Sequence, residues 1–331
     1  MRSPILLHLL SMLVHAQQGR AQCSSGNTEF TTSALKGAVD AYCDDPDGWD
    51  GTFIVNDIPY QVGPIENWCT AKVKNFNKVF RNQGTCNPDI SGWDTSSATS
   101  MLEMFQRAAE FNQDISAWNT ASVENMQSMF SGAVAFNQDL TGNDGGWDTS
   151  KVTNMKWMFK NATKFNGDVS GFHTARVTEM TGVFQYASSF NVDISTWDTT
   201  QVTNMTWAFL GAAAFNQDLT GNNGGWDTSK VADMQSMFAG ATVFNGDVSG
   251  FETASVTSMK DMFKKASAFN VDVSEWNTVA VTDMTHMFLK ASLFNQNLCL
   301  WKSRFPYDKN DKIFRQTDCT FKGDPDPLNL R

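Results

Sequence analysis

The stretch Phe190-Asn-Val-Asp-Ile-Ser-Thr-Trp197-Asp-Thr-Thr-Gln-Val202-Thr-Asn-Met205-Thr-Trp-Ala-Phe209-Leu-Gly-Ala-Ala-Ala214 is one unit of a tandem array. Copies begin at Phe111, Phe136, Phe165, Phe190, Phe215, Phe244 and Phe269, with a degenerate copy at Asn87 and a truncated one at Phe294. Starts are 25 residues apart, except that the units at Phe136 and Phe215 run to 29. Phe136, Phe215 and Phe294 are themselves 79 residues apart, so a three-unit block has been duplicated whole.

Self-similarity at this period is the mark of a solenoid, in which no unit can bury its own apolar face and stacking makes one continuous core. Within a unit, Asp193 to Trp197 is short, β-branched and bounded by turn formers, and predicts a strand. Val202 to Ala212 carries apolar residues three and four apart, the spacing of one helical face. The expected fold is therefore an α/β repeat solenoid, each coil made of one short strand and one short helix. With strands about 4.8 Å apart, the array would be roughly 40 Å long. The Gly-rich insertions at 142–146 and 221–225 belong in loops on one side.

The ends differ from the repeats. Residues 1–21 have a basic start, an apolar run from Ile5 to Val14 and small-residue exits, the pattern of a secretory signal; an uncleaved anchor is the alternative. Residues 22–64 form an amino-terminal cap with a helix near 31–43, started by Ser or Thr before an apolar pattern. The array occupies 65–298 and a carboxy-terminal cap and tail 299–331. All six cysteines lie outside the regular units: Cys23, Cys43, Cys69, Cys86, Cys299 and Cys319. An even number in an exported chain points to disulfides at the fraying ends. Local pairing gives Cys23–Cys43, Cys69–Cys86 and Cys299–Cys319, although the four amino-terminal cysteines allow three connectivities. A zinc site is the rival, and no Cys-x-x-Cys spacing supports it.

The consensus Phe-Asn-x-Asp-Ile-Ser-x-Trp-Asp-Thr-Ser-x-Val-Thr-x-Met-x-x-Met-Phe-x-x-Ala resembles the bacterial surface-protein 26-residue repeat, grouped with BspA-type leucine-rich repeats and also common in marine protists and algae. The resemblance covers about Ile65 to Trp301. It implies a leucine-rich-repeat-like solenoid on a secreted or cell-surface protein, and bacterial members are associated with adhesion.

Catalysis finds little support. Outside the signal only His173 and His286 remain, and neither a serine elbow, a metalloprotease helix nor a phosphate loop is present. The carboxylates recur once per coil, as turn-forming residues do. Asn143 and Asp144 could seed a weak Ca²⁺ site, but Asn223 replaces the acid in the second copy, and no metal or cofactor is expected. The Met205 and Trp197 columns are core, while the non-columnar Trp157 and Trp207 are possible surface contacts. Stacked amides of the Asn191 column are expected to pair along the array. Asn161 and Asn204 lie in glycosylation sequons.

Two surfaces can bind. Asp114, Ser116, Asp168, Ser170, Asp193 and Ser195 align on the expected strand face, with Ala117, Thr196 and Glu275 as variable neighbours. A first Thr column, Thr120, Thr149, Thr174, Thr199, Thr228, Thr253 and Thr278, reads first as a helix cap or turn, and alternatively as a flat array resembling ice-binding surfaces. A second, at Thr153, Thr178, Thr203, Thr257 and Thr282, reads as helix caps. Net charge is −10 with no basic run, which disfavours nucleic acid and anionic membranes. The sequence thus predicts a non-catalytic monomeric scaffold, secreted or at the cell surface, without membrane insertion. It would recognise an extracellular protein or glycan, with an ice- or mineral-binding protein as the alternative.

Overall fold

The computed structural model describes residues 30–55, 58–141, 147–220, 226–298 and 300–301. The signal segment, Cys23, Cys299, Cys319 and the insertion residues Asn143, Asp144 and Asn223 lie outside them.

The cap opens with helix α1, Thr32–Asp44, whose first N–H groups are met by the Thr31 hydroxyl accepting from the Ala34 N–H. Leu35, Ala38 and Val39 supply its buried face. Asp44-Asp-Pro-Asp-Gly then stops it, because the residue before proline is pushed out of the helical region. Strands β1, Thr52–Val55, and β2, Ile58–Gln61, follow as an antiparallel pair. Together they cover the open end of the array. Phe30 packs on Phe53 and Trp68 at centroid distances of 5.8 and 5.1 Å. The indole N–H groups of Trp49 and Trp68 both donate to the Gly63 carbonyl.

The cap is fixed to the first coil covalently. Cys43 is bonded to Cys86, which excludes both expected pairings, Cys23–Cys43 and Cys69–Cys86. Cys69 is disulfide-bonded as well. The reason is spatial: α1 lies across the first coil, with Gln83 Nε2 donating to Asp40 at 2.8 Å, so Cys43 faces the end of that coil and not its sequence neighbours.

From Ile65 onward the repeats stack in register, and here the expected strand-plus-helix unit is overturned. Among the described residues of the array no α-helix forms, and strand pairing shrinks to one parallel bridge per coil, running from Asn75 through Ser100, Asn125, Asn154, Glu179, Asn204, Asp233 and Ser258 to Asp283. That bridge falls inside the segment expected to be helical. The segment expected to be the strand is a turn, Trp197 N–H donating to Ile194 O at 3.1 Å.

The hydrogen bonds explain the difference. A helix would send every N–H four residues back along its own chain. In this array the donors alternate. Met104, Gln106 and Ala108 close local turns on Met101, Glu103 and Phe105, whereas Met101, Glu103, Phe105 and Arg107 donate to Asn125, Gln127, Met129 and Ser131 of the next coil. In the turns closed by Met104 and Ala108 the third residue has positive φ, 55° at Glu103 and 61° at Arg107, the mark of a type II turn. Two consecutive turns of this kind bury residues three and four apart, the same spacing that a helical face produces. Gly182, Gly211 and Gly240 occupy these positive-φ positions in later coils, where absence of Cβ removes the strain.

The core is a set of ladders. Phe159, Phe184 and Phe209 stack at 5.5 and 5.7 Å, and each leans on a second column, as Phe184 does on Phe190 at 3.7 Å. Each ring pair contributes about 0.5–1.5 kcal/mol beyond its burial. The Trp column adds polar ties: Trp118 Nε1 donates to Ile90 O, 28 residues back, and Trp147 Nε1 to Ile115 O, 32 residues back. The four extra residues of a long unit are therefore absorbed between Leu140 and Trp147, and the columns stay aligned.

Candidate functional site

The first Thr column is not a surface. Thr120, Thr149, Thr174, Thr199, Thr228, Thr253 and Thr278 are no more than 2 % exposed. Each hydroxyl for which a bond is described donates to a main-chain carbonyl of the next coil, Thr199 to Asp227 O at 2.8 Å and Thr120 to Asp148 O at 2.9 Å. The residue lies two after the buried Trp and three before the buried Val, so it turns inward with them. A flat Thr array at these positions is ruled out by burial.

Asp114, Ser116, Asp168, Ser170, Asp193 and Ser195 do reach the surface, but not on a strand. They form Asx turns, with the Asp carboxylate accepting the Ser N–H two residues on, at 2.9 Å for Asp193 and Ser195 and 2.8 Å for Asp168 and Ser170. The Ser170 N–H, assisted by the Ser170 and Thr141 hydroxyls, holds the Asp168 carboxyl below its ordinary range despite partial burial. Beside them the Asn column makes the expected ladder: Asn191 N–H donates to Asn166 Oδ1 at 2.8 Å, and Asn216 N–H to Asn191 Oδ1 at 2.9 Å. These polar groups are engaged in holding coils together.

What the fold presents instead is a bridge ribbon. Val202-Thr203-Asn204-Met205 is extended; Val202 and Met205 point into the core, Thr203 is exposed and Asn204 half-buried. Stacking repeats this arrangement in every coil. The second Thr column, expected to cap helices that do not exist, becomes an exposed ladder in which Thr178 donates to Thr153 O at 3.3 Å and Thr282 to Thr257 O at 3.1 Å. Asn154, Glu179, Asn204, Asp233 and Asp283 stand beside it. Each uses one side-chain oxygen to accept the N–H two residues on, as Asn204 does from Thr206 at 2.9 Å. The ribbon is hidden in the sequence because a Val-Thr-Asn-Met step reads equally well as a helix start.

A second exposed ribbon runs along the stacked type II turns, over residues such as 156–161 and 260–265 of each coil. Lys78, Arg81, Arg107, Lys156, Lys160, Lys260, Lys264, Lys265 and Lys290 lie on it, with Glu103 and Asp261 as its acids. The acids are internally paired, Glu103 with Arg81 at 3.2 Å and Asp261 with Lys264 at 3.0 Å. Trp157, at positive φ, lies against Gly182 of the next coil and carries Lys156 and Lys160 at 4.5 and 5.2 Å from its ring centroid. Tyr186 rests in the same way over Gly211 and is 46 % exposed.

The remaining candidates are soon placed. His173 is exposed, 4.0 Å from Asp148, and His286 lies 3.4 Å from Asp261. Among the described residues no group of three or more His, Cys, Asp or Glu converges on a metal position. Asn161 is exposed at φ 57°, whereas Asn204 sits in the bridge column. A cleft of about 350 Å³ under the cap is lined by Tyr42, Trp49 and Glu66 among others. No helix among the described residues is long and apolar enough to cross a membrane.

A family profile described as Mycoplasma protein of unknown function, DUF285, matches three successive segments, residues 52–145, 142–225 and 219–322. No curated protein and no solved structure matches the chain.

Proposed function

We propose a binding function for this chain, which belongs to the DUF285 family of tandem-repeat proteins: it is a non-catalytic scaffold that recognises an extracellular protein or glycan through its bridge ribbon. The observation that carries this reading is the exposed ladder, Thr in most coils, beside a bridge column of Asn, Ser, Glu and Asp, with coils at the β spacing of about 4.8 Å. Such a surface is rigid before binding, so many weak contacts can form without an ordering cost. Side chains vary along the ladder, Glu124 and Ala232 replacing Thr, which gives a ligand a readable sequence of contacts. The same proposal takes the coil as a variant of the BspA-type solenoid and the protein as monomeric and secreted or displayed at the cell surface.

A second reading, lattice binding to ice or mineral, now rests on the exposed Thr ladder alone. Glu179, Asp233 and Asp283 interrupt a flat neutral array and favour a molecular ligand. The test compares the wild type with the paired variant Thr178→Lys/Thr203→Lys on arrays of glycans and extracellular-matrix proteins. Loss of binding at unchanged melting temperature supports the scaffold. Binding that survives the substitution, or a wild type that binds nothing on the arrays, removes it. Thermal hysteresis present in the wild type and lost in the variant moves the assignment to a lattice binder.

A further inference from the structure

We propose that the turn ribbon is a separate binding surface for an acidic polysaccharide. The chain as a whole carries a net charge of −10, so a cation-rich ribbon means that charge has been sorted by face. Low overall pI, which by itself argues against anionic partners, does not describe this side. Both of its acids are neutralised locally by Arg81 and Lys264, which leaves Arg107, Lys265 and Lys290 exposed without an acid of their own column.

The arrangement along the stack selects among polyanions. With about 4.8 Å per coil, the cations at Arg107 lie roughly 10 Å from those at Lys156 and Lys160, and these lie roughly 19 Å from Lys260 and Lys264. The coils between the last two groups offer aromatic surface instead, from Tyr186 and Trp207. Duplex nucleic acid has a charge about every 1.7 Å and would leave many phosphates over uncharged coils. A polysaccharide has charges on some sugars and apolar ring faces between them, and those faces stack on aromatic rings. Trp157 is held flat against Gly182 of the next coil, where even a Cβ would stand 2.6 Å from its Cδ1, so its ring is fixed in place beside Lys156 and Lys160.

The ribbon shares no residue with the Thr ladder, and the proposal stands whether or not the bridge ribbon binds. The experiment measures binding of the intact chain to immobilised heparin and polygalacturonate, with dextran as the neutral control and oligo(dT) as the nucleic-acid probe. Wild type is expected to bind both acidic polysaccharides in a salt-sensitive manner and to ignore dextran. The variant Lys265→Glu/Lys290→Glu should weaken binding by about tenfold or more, while Lys265→Arg/Lys290→Arg should retain it. Lys151→Glu/Lys230→Glu, the same charge change off the ribbon, serves as control. Trp157→Ala should weaken binding without changing its salt dependence. Absence of wild-type binding, an equal loss in the off-ribbon control, or oligo(dT) binding as tight as heparin binding would each overturn the proposal.

Discussion

Replacing Thr199 by Val removes one hydroxyl from the buried column while keeping the branched shape. That hydroxyl donates to Asp227 O at 2.8 Å, and Thr199 is 0 % exposed. No water can take its place, so the substitution leaves a carbonyl acceptor without its donor, at a cost of about 1–3 kcal/mol. For a cooperative array of this size, that lowers the melting temperature by roughly 2–6 °C. Thermal unfolding followed by tryptophan fluorescence reads the change, with two comparisons. Thr199→Ser keeps the hydrogen bond and loses only a methyl group. Thr203→Val removes an exposed hydroxyl whose bond to Thr178 O is 3.4 Å long, and should cost no more than about 0.5 kcal/mol. Equal effects at 199 and 203, or a Thr199→Val chain that melts normally yet loses ligand binding, would refute the assignment of the first column to the core.

Cys43→Ser opens a loop of sequence separation 43 and should destabilise the cap by about 4 kcal/mol on a chain-entropy account, seen as earlier proteolysis of α1 and a lower melting temperature. At Gly211, φ is 71° and an added Cβ would stand 2.4 Å from Tyr186 Cδ1, so Gly211→Ala should cost about 1–2 kcal/mol from the backbone alone. Combining it with Tyr186→Ala should recover any further loss, and a strictly additive double-mutant cycle would show that the ring is not in contact. Asp89, Asp148 and Asp227 have carboxyls held below the usual range, Asp89 and Asp227 chiefly by the hydroxyls of Ser91 and Ser229 and Asp148 by the Ser150 N–H. Their folded pKa lies below the unfolded one, so their contribution is full above the ordinary value of 3.8 and is lost as pH falls through the folded value. Melting temperature should therefore be flat from pH 7 to 5 and drop below about pH 4; replacing Ser91 and Ser229 by Ala should flatten that drop.

The repeat, its period and its inward-facing columns were legible once Phe190 to Ala214 was set beside its copies, because a stacked core demands the same residue at the same place in each unit. The backbone path was not, since residues at positions such as Met205, Ala208, Phe209 and Ala212 suit either a helix face or two type II turns. The discriminating signal was glycine: Gly132, Gly211 and Gly240 recur in one column, four residues after the column of Gly182, where a helix would gain nothing from them. Thr199 and Thr203 show the consequence for function. Both columns were visible, but which faced water depended on the backbone path, and the wrong path exchanged them. Disulfide partners failed for a related reason, since sequence proximity cannot reveal that α1 folds back across the first coil. The charged turn ribbon was diluted among acids in the linear order and emerged only when coils were superposed.

Trp118 and Trp147 reach their carbonyls across 28 and 32 residues without any shift of the columns. A unit boundary is thus a seam that tolerates splicing. Recombination can add or remove whole coils, as the 79-residue duplication has done, and each event changes the molecule's span by a fixed increment without asking any existing side chain to find a new neighbour. Copy number becomes a heritable measure of length: a lineage can lengthen the ruler coil by coil, while its cap remains untouched.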